Sequence, residues 1–305
     1  MLKKPSKKYL ISAAFIVMAA SLSVILPLRI YEYLELMKEG TGFFSASGKI
    51  GVYTLYGIIA AVCVVLLIFS RVGSKSHTYS IPKRRNIPVA IVTFLLSFSV
   101  ISDGVYQAFL VYRSVVSGDN TTAVMSEISN SIVTWFRAAQ GVLALLSGVF
   151  FFILAMYYCR PSEKDIKKIK LLAVTPVIWE CFRLMIRFMN TIDFKKVSEL
   201  LFEMFMIVFC AMFLVAFIKF MCGYSLPRAQ TKLFGYGMIA ALFCFVCSVP
   251  RYVLVVFSRT QNLYNADSVW QINDLFMGMF ILSVLFSIME TVRVKKLAGE
   301  EYREV

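Results

Sequence analysis

The stretch TPVIWECFRLMIRFMNT, Thr175 to Thr191, is apolar enough to enter a membrane, yet it carries Glu180, Arg183 and Arg187. On a helix, at about 100° per residue, Pro176, Glu180, Arg183, Arg187 and Thr191 fall within about 80° of one another. The groups that lipid rejects therefore form one stripe, and something other than lipid must face it. The nearest source of such a surface is the rest of the chain.

That chain has 305 residues, 59% of them hydrophobic and only 16% charged, with a mean hydropathy of +0.74. These values lie outside the range of soluble domains and point to a polytopic membrane protein. Crossing a hydrocarbon core of about 30 Å takes about 20 helical residues. Eight runs are long enough: 9–30, 49–70, 87–112, 132–158, 170–190, 198–220, 233–257 and 269–292. Alternating ten-residue segments of the kind a membrane β-barrel needs are absent, so the expected fold is all-α, an eight-helix membrane bundle forming one domain over 1–305. The first run follows Lys3, Lys4, Lys7 and Lys8 but is longer than the core of a signal peptide, and it is read as a span.

The net charge of +14 suggests nucleic acid until the positions are read. The segments 1–8, 71–86, 159–170, 219–232 and 293–305 hold 21 basic residues, and the four alternate loops hold seven. Strict alternation of this kind is the positive-inside pattern, which places both termini in the cytoplasm of a cell-membrane protein. The basic loops are then orientation signals and contacts for anionic lipid heads, and no nucleic-acid partner is expected.

The outer ends of the odd-numbered spans share a pattern: LPLRIYEYL (26–34), SDGVYQAFL (102–110), TPVIWECFR (175–183) and SVPRYVLVV (248–256). A potential helix breaker accompanies each, as Pro27, Asp103-Gly104, Pro176 and Pro250. The even spans align more loosely on Gly57, Gly141 and Gly278, with Tyr53, Arg137 and Asp274 four residues earlier. A unit of two spans returns to the same side, so four hairpins (9–70, 87–158, 170–220, 233–292) would be parallel repeats about an axis along the membrane normal. Ala144 and Gly148 are small positions suited to close helix contact.

Ionisable residues within the spans gather toward the outer side, whereas the inner halves read as ISAAFIVMAA (11–20), IVFCAMFLVAF (207–217) or FMGMFILSVLF (276–286). This asymmetry predicts a polar cup that opens outward, with Asp103 and Glu180 at its floor. Its candidate ligand-binding residues are Asp103, Gln107, Arg137, Gln140, Trp179, Glu180, Arg183, Arg187, Glu203, Arg251 and Asp274. Guanidinium groups suit carboxylates and phosphates, and Trp179, Tyr106 and Tyr31 offer aromatic walls. The competing reading pairs the charges as interhelical braces, with Arg29 and Arg187 free to snorkel to the interface.

No metal spacing, cofactor motif or nucleophile–base constellation is present, so neither a metal, a cofactor nor an enzymatic activity is expected. The seven cysteines lie within spans or at their cytoplasmic ends, which predicts no disulfides. His77 reads as a solvated loop residue, NTT at 120–122 as a glycosylation acceptor only in a suitable host, and EEYREV as a solvated tail. Two functions remain: capture or transport of a small charged or zwitterionic solute, and a receptor, sensor or assembly partner that acts through another membrane or cytoplasmic protein.

Overall fold

A computed structural model describes residues 9–36, 49–74, 85–116, 124–160, 170, 172–189, 197–224, 226–257 and 272–297. The readings of His77, of 120–122 and of the tail from 300 lie outside the described residues, as do most of the basic loops. All regular structure among the described residues is helical. The α-helices are α1 (Tyr9–Tyr31, continuing as a π-turn over Glu32–Leu36), α2 (Lys49–Ser74), α3 (Ile87–Val116), α4 (Val124–Cys159), α5 (Thr175–Met189), α6 (Val197–Met221), α7 (Leu226–Val256) and α8 (Asn273–Leu297). Six of them, α1 to α4, α6 and α7, are long and apolar enough to cross a membrane, as a multi-pass membrane protein requires.

Two expected spans fall short. Helix α5 has 15 residues, about 22 Å at 1.5 Å per residue. The chain turns at Ala173–Val174, and the α5 helix starts afresh at Thr175, whose hydroxyl donates to the Leu172 carbonyl. Pro176 stands at the first turn, where its missing N–H costs no hydrogen bond. The apolar part of α8 covers only Asn273–Met289. A second difference concerns the proposed breakers. Pro27 lies inside α1, Pro250 inside α7 and Asp103-Gly104 inside α3, so only at Pro176 does a helix begin.

Helices α3 to α8 form a closed circuit of neighbours, α3 on α4, α4 on α5, α5 on α6, α6 on α7, α7 on α8 and α8 back on α3, and the α1–α2 hairpin packs on the outside of α7. Burial follows this plan: 67% of the apolar window of α7 is buried, against 22% for α1 and for α2.

Glycine decides how closely α3 and α4 approach. A Cβ at Gly148 would lie 2.4 Å from Ile101 Cγ1, and one at Gly104 would lie 3.0 Å from the Gly141 carbonyl. The Ser97 hydroxyl crosses the same seam to the Gly148 carbonyl at 2.8 Å. Ala144 is fully buried there, so the small positions read from the sequence do mark a tight helix pair. By contrast Gly57 has open space around it and Tyr53 is 70% exposed, so α2 does not match α4 and α8 in burial.

Phenylalanines close one half of the ring. Phe280 of α8 meets Phe151 of α4 at 5.5 Å, Phe217 of α6 at 5.8 Å and Phe213 of α6 at 6.4 Å between ring centroids, in edge-on arrangements favoured by aromatic quadrupoles. All four are buried, and they fill the interior where polar side chains would open a path.

Candidate functional site

Helix α5 answers its own sequence. Its buried residues are Pro176, Trp179, Glu180, Arg183, Ile186 and Arg187, the polar stripe itself. Ile178, Cys181, Met185 and Phe188 occupy the opposite, exposed face. The helix therefore turns its costly groups toward α4 and α6 and its oily side outward, because only the bundle interior offers them charged partners.

Arg183 Nη1 donates to both Glu180 oxygens at 3.2 and 3.1 Å, and Nη2 reaches Asp274 Oδ1 on α8 at 2.6 Å. Its guanidinium also lies 4.9 Å from the Trp179 ring centroid, a cation–π contact strengthened by the burial of both side chains. Arg251 of α7 donates to the second Asp274 oxygen at 3.2 Å and to Glu203 of α6 through a short contact. Its Nε lies 3.8 Å from Glu199 Oε1. Arg187 completes the set, its Nε 3.2 Å from Glu203 Oε2. Four helices are thus tied by three arginines and four carboxylates.

Helix α1 adds a satellite pair. Arg29 binds Glu32 at 2.5 Å and the Tyr33 hydroxyl at 2.9 Å, and its guanidinium lies 4.7 Å from the ring of Phe202, beside Glu203. Neither Arg29 nor Arg187 snorkels: both are buried, held by carboxylates that an escape to the interface would abandon. On the other flank, Asp103 of α3 accepts from Gln107 Nε2 at 3.4 Å and from Gln140 Nε2 of α4 at 3.5 Å.

Of the eleven residues singled out in the sequence, ten are buried and Arg137 is half-buried, with no ion pair among the described residues. Asp103, Gln107 and Gln140 form one group, and Glu180, Arg183, Arg187, Glu203, Arg251 and Asp274 form the ion-pair network, with Trp179 beneath Arg183. Tyr31 is 53% exposed and lines nothing, because its place on α1 looks away from α7.

Three residues escaped the sequence reading. Glu199 stands one turn before Glu203 and joins Arg251, and that four-residue spacing was the available signal. Ser99 stands one turn before Asp103, buried, its Oγ without a hydrogen-bond partner among the described residues. Asn273, beside Asp274, is likewise buried with both amide atoms unpartnered among the described residues. The Trp179 indole N–H shares that condition.

An apolar pocket of about 520 Å³ lies at the opposite end of the bundle, lined by Phe15, Val89, Val92, Phe245, Met279 and Phe286 among others, and none of the charged network borders it. All seven cysteines are free thiols; Cys210 and Cys244 meet across α6 and α7 at 3.5 Å.

Compared with protein-family models, with curated proteins and with solved structures, the chain has no match. The fold and site define its class, a helical multi-pass membrane protein with a buried charged network, and any finer reading rests on this geometry alone.

Proposed function

We propose that this chain is an eight-span protein of the cell membrane, with both termini cytoplasmic, that captures a small charged or zwitterionic solute from outside and carries it through the ring of α3 to α8. In this reading α5 is the second half of a broken span whose first part precedes Ala173, and the apolar part of α8 supplies the last crossing. Four tandem parallel hairpins belong to this reading; the pairing is clearest for α1 with α2 and α3 with α4, whereas α6 packs on α7 at least as extensively as on α5.

The observation that carries the proposal is the convergence of ten buried charged side chains from six helices, with Gln107 and Gln140 beside them, above a floor of phenylalanine. Holding helices in register takes one or two pairs; a network of this size is expensive to bury unless it handles charge. No catalytic step and no metal is assigned to it.

A second reading has its own support. Arg183, Arg187 and Arg251 each have a carboxylate partner, as in a purely structural network. The chain is then a receptor, sensor or assembly partner that passes its signal to another membrane or cytoplasmic protein.

One experiment separates the two. Proteoliposomes holding the full chain are assayed for uptake of a panel of radiolabelled amino acids and amines, beside the Glu180→Gln/Arg183→Met double variant, which deletes a charge pair and leaves Asp274 to Arg251. Solute handling predicts at least one substrate and at least a tenfold loss in a variant that still elutes as a monodisperse species. Uptake unaltered by the double change rules out these residues as the site, and no uptake from the panel by the parent protein favours the second reading.

Orientation has a separate check in the native cysteines. Cys222, exposed within the basic segment 219–232, should resist a membrane-impermeant maleimide on intact cells and react in inverted vesicles. Labelling from outside would reverse the proposed topology.

A further inference from the structure

Among the described residues the buried charges do not balance. Six carboxylates are buried (Glu32, Asp103, Glu180, Glu199, Glu203, Asp274) against four guanidiniums (Arg29, Arg183, Arg187, Arg251). Counting half-buried Arg137 of α4 still leaves one carboxylate in excess. The pairing shows where the excess falls. Glu32, Glu180, Glu199, Glu203 and Asp274 each lie in ion-pair contact with an arginine. Asp103 does not, and its partners are the neutral amides of Gln107 and Gln140.

We infer that the Asp103 corner of the network is a binding site for a single positive charge, an ammonium group or a monovalent cation such as sodium or a proton. The inference rests on the solute-handling reading only for the idea that the bound charge belongs to a cargo. An uncompensated carboxylate inside a membrane bundle is costly enough that it takes up a cation or a proton. The surroundings are made for the former. Ser99, Asp103 and Gln107 recur every four residues on one face of α3, and Ser99 Oγ, buried and without a hydrogen-bond partner among the described residues, is a spare oxygen on the Asp103 side. With the carboxylate it makes a corner that accepts a hard monovalent cation or an ammonium group once the amides of Gln107 and Gln140, whose nitrogens face Asp103, turn their oxygens toward the bound charge. The close Gly104–Gly141 approach holds α3 and α4 together at this level, so the corner cannot easily widen. The other charged groups near it are Asp274 of α8, and Arg183 and Glu180 of α5, already joined to one another.

The test is thermal melting of the full chain in lipid nanodiscs, with sodium chloride or methylammonium chloride exchanged for N-methylglucamine chloride at constant ionic strength, at pH 5.5 and 8.5. A ligand that binds only the folded state raises the melting temperature by mass action. The expected result is a saturable rise of several degrees with sodium, with methylammonium or with acid, the responsive probe naming the source of the charge. Asp103→Asn should abolish that dependence and melt, without added cation at pH 8.5, at or above the parent protein, since it removes the unbalanced charge. Ser99→Ala, a small truncation, should raise the midpoint concentration of the responsive probe about tenfold by deleting one hydrogen bond to a charged group. A parent protein indifferent to all three probes, an Asp103→Asn variant that keeps the dependence, or an unmoved midpoint in Ser99→Ala overturns the inference. Melting reads binding alone, so a chain that binds a cation but moves no solute refutes transport and keeps this site. Uptake of an anionic solute with cation-indifferent melting does the reverse.

Discussion

Replacing Arg251 with Met is expected to destabilise the folded protein by about 3–5 kcal/mol, the cost of leaving buried carboxylates without their partner. The guanidinium of Arg251 touches three acids on two helices, Glu199 and Glu203 of α6 and Asp274 of α8, a wider set than Arg183 or Arg29 reaches. Arg187 retains Glu203, and Arg183 retains Asp274, but Glu199 is left with neither arginine in ion-pair contact. Methionine keeps much of the length and removes the charge, which isolates electrostatics from packing. The measurement is the midpoint of reversible unfolding in mild detergent, or loss of the monodisperse peak on heating where unfolding is irreversible. A shift below about 1 kcal/mol would mean that the network is wet and screened, contrary to the burial of its members.

The second large effect concerns the floor. Phe280→Ala vacates about 100 Å³ at the centre of the ring and, at about 24 cal/mol per Å³ of residual cavity, should cost about 2–3 kcal/mol. Between helices in lipid the loss is mainly of van der Waals contact, since lipid tails are as apolar as the core. The neighbouring rings of Phe151, Phe213 and Phe217 are themselves packed and leave little freedom to collapse into the gap. The same variant tests whether Phe280 seals the charged network from the opposite half of the bundle: a seal predicts increased passive leakage of small ions through reconstituted vesicles. Phe188→Ala, on the exposed face of α5, serves as the control and should change neither stability nor leakage. Equal leakage from both variants would show that Phe280 is not the seal.

These two residues also show how differently sequence and structure inform the reading. Arg251 stands out in the sequence as a charge within an apolar run, and Phe280 is one of 27 phenylalanines with nothing to set it apart. A charge in a hydrophobic segment signals its own cost, whereas a ring becomes important only through what surrounds it. The stripe on α5 was legible for the first reason, down to the face that turns inward. Its partners were not. Arg183 meets Asp274 across 91 residues of sequence, and no local pattern encodes a contact of that range. Pro27 and Pro250 start no new helix, because a proline's effect depends on its tertiary surroundings; in α1 the α-helix gives way to the π-turn one turn beyond Pro27, and α7 runs on to Val256.

Composition and periodicity by themselves determined that the chain is helical, that its long apolar runs suit a membrane, and that its ionisable residues cluster toward one side. Those conclusions depend on local quantities, the run of apolar residues and the angle between successive side chains. Tertiary structure alone decided that α3 to α8 close into a circuit, that Arg29 turns inward, that Glu199 joins the network, and that Asp103 is, among the described residues, the buried carboxylate without an arginine in ion-pair contact. Each of those depends on distances between helices, and charge balance in a medium without water is settled only once every partner has been brought within reach.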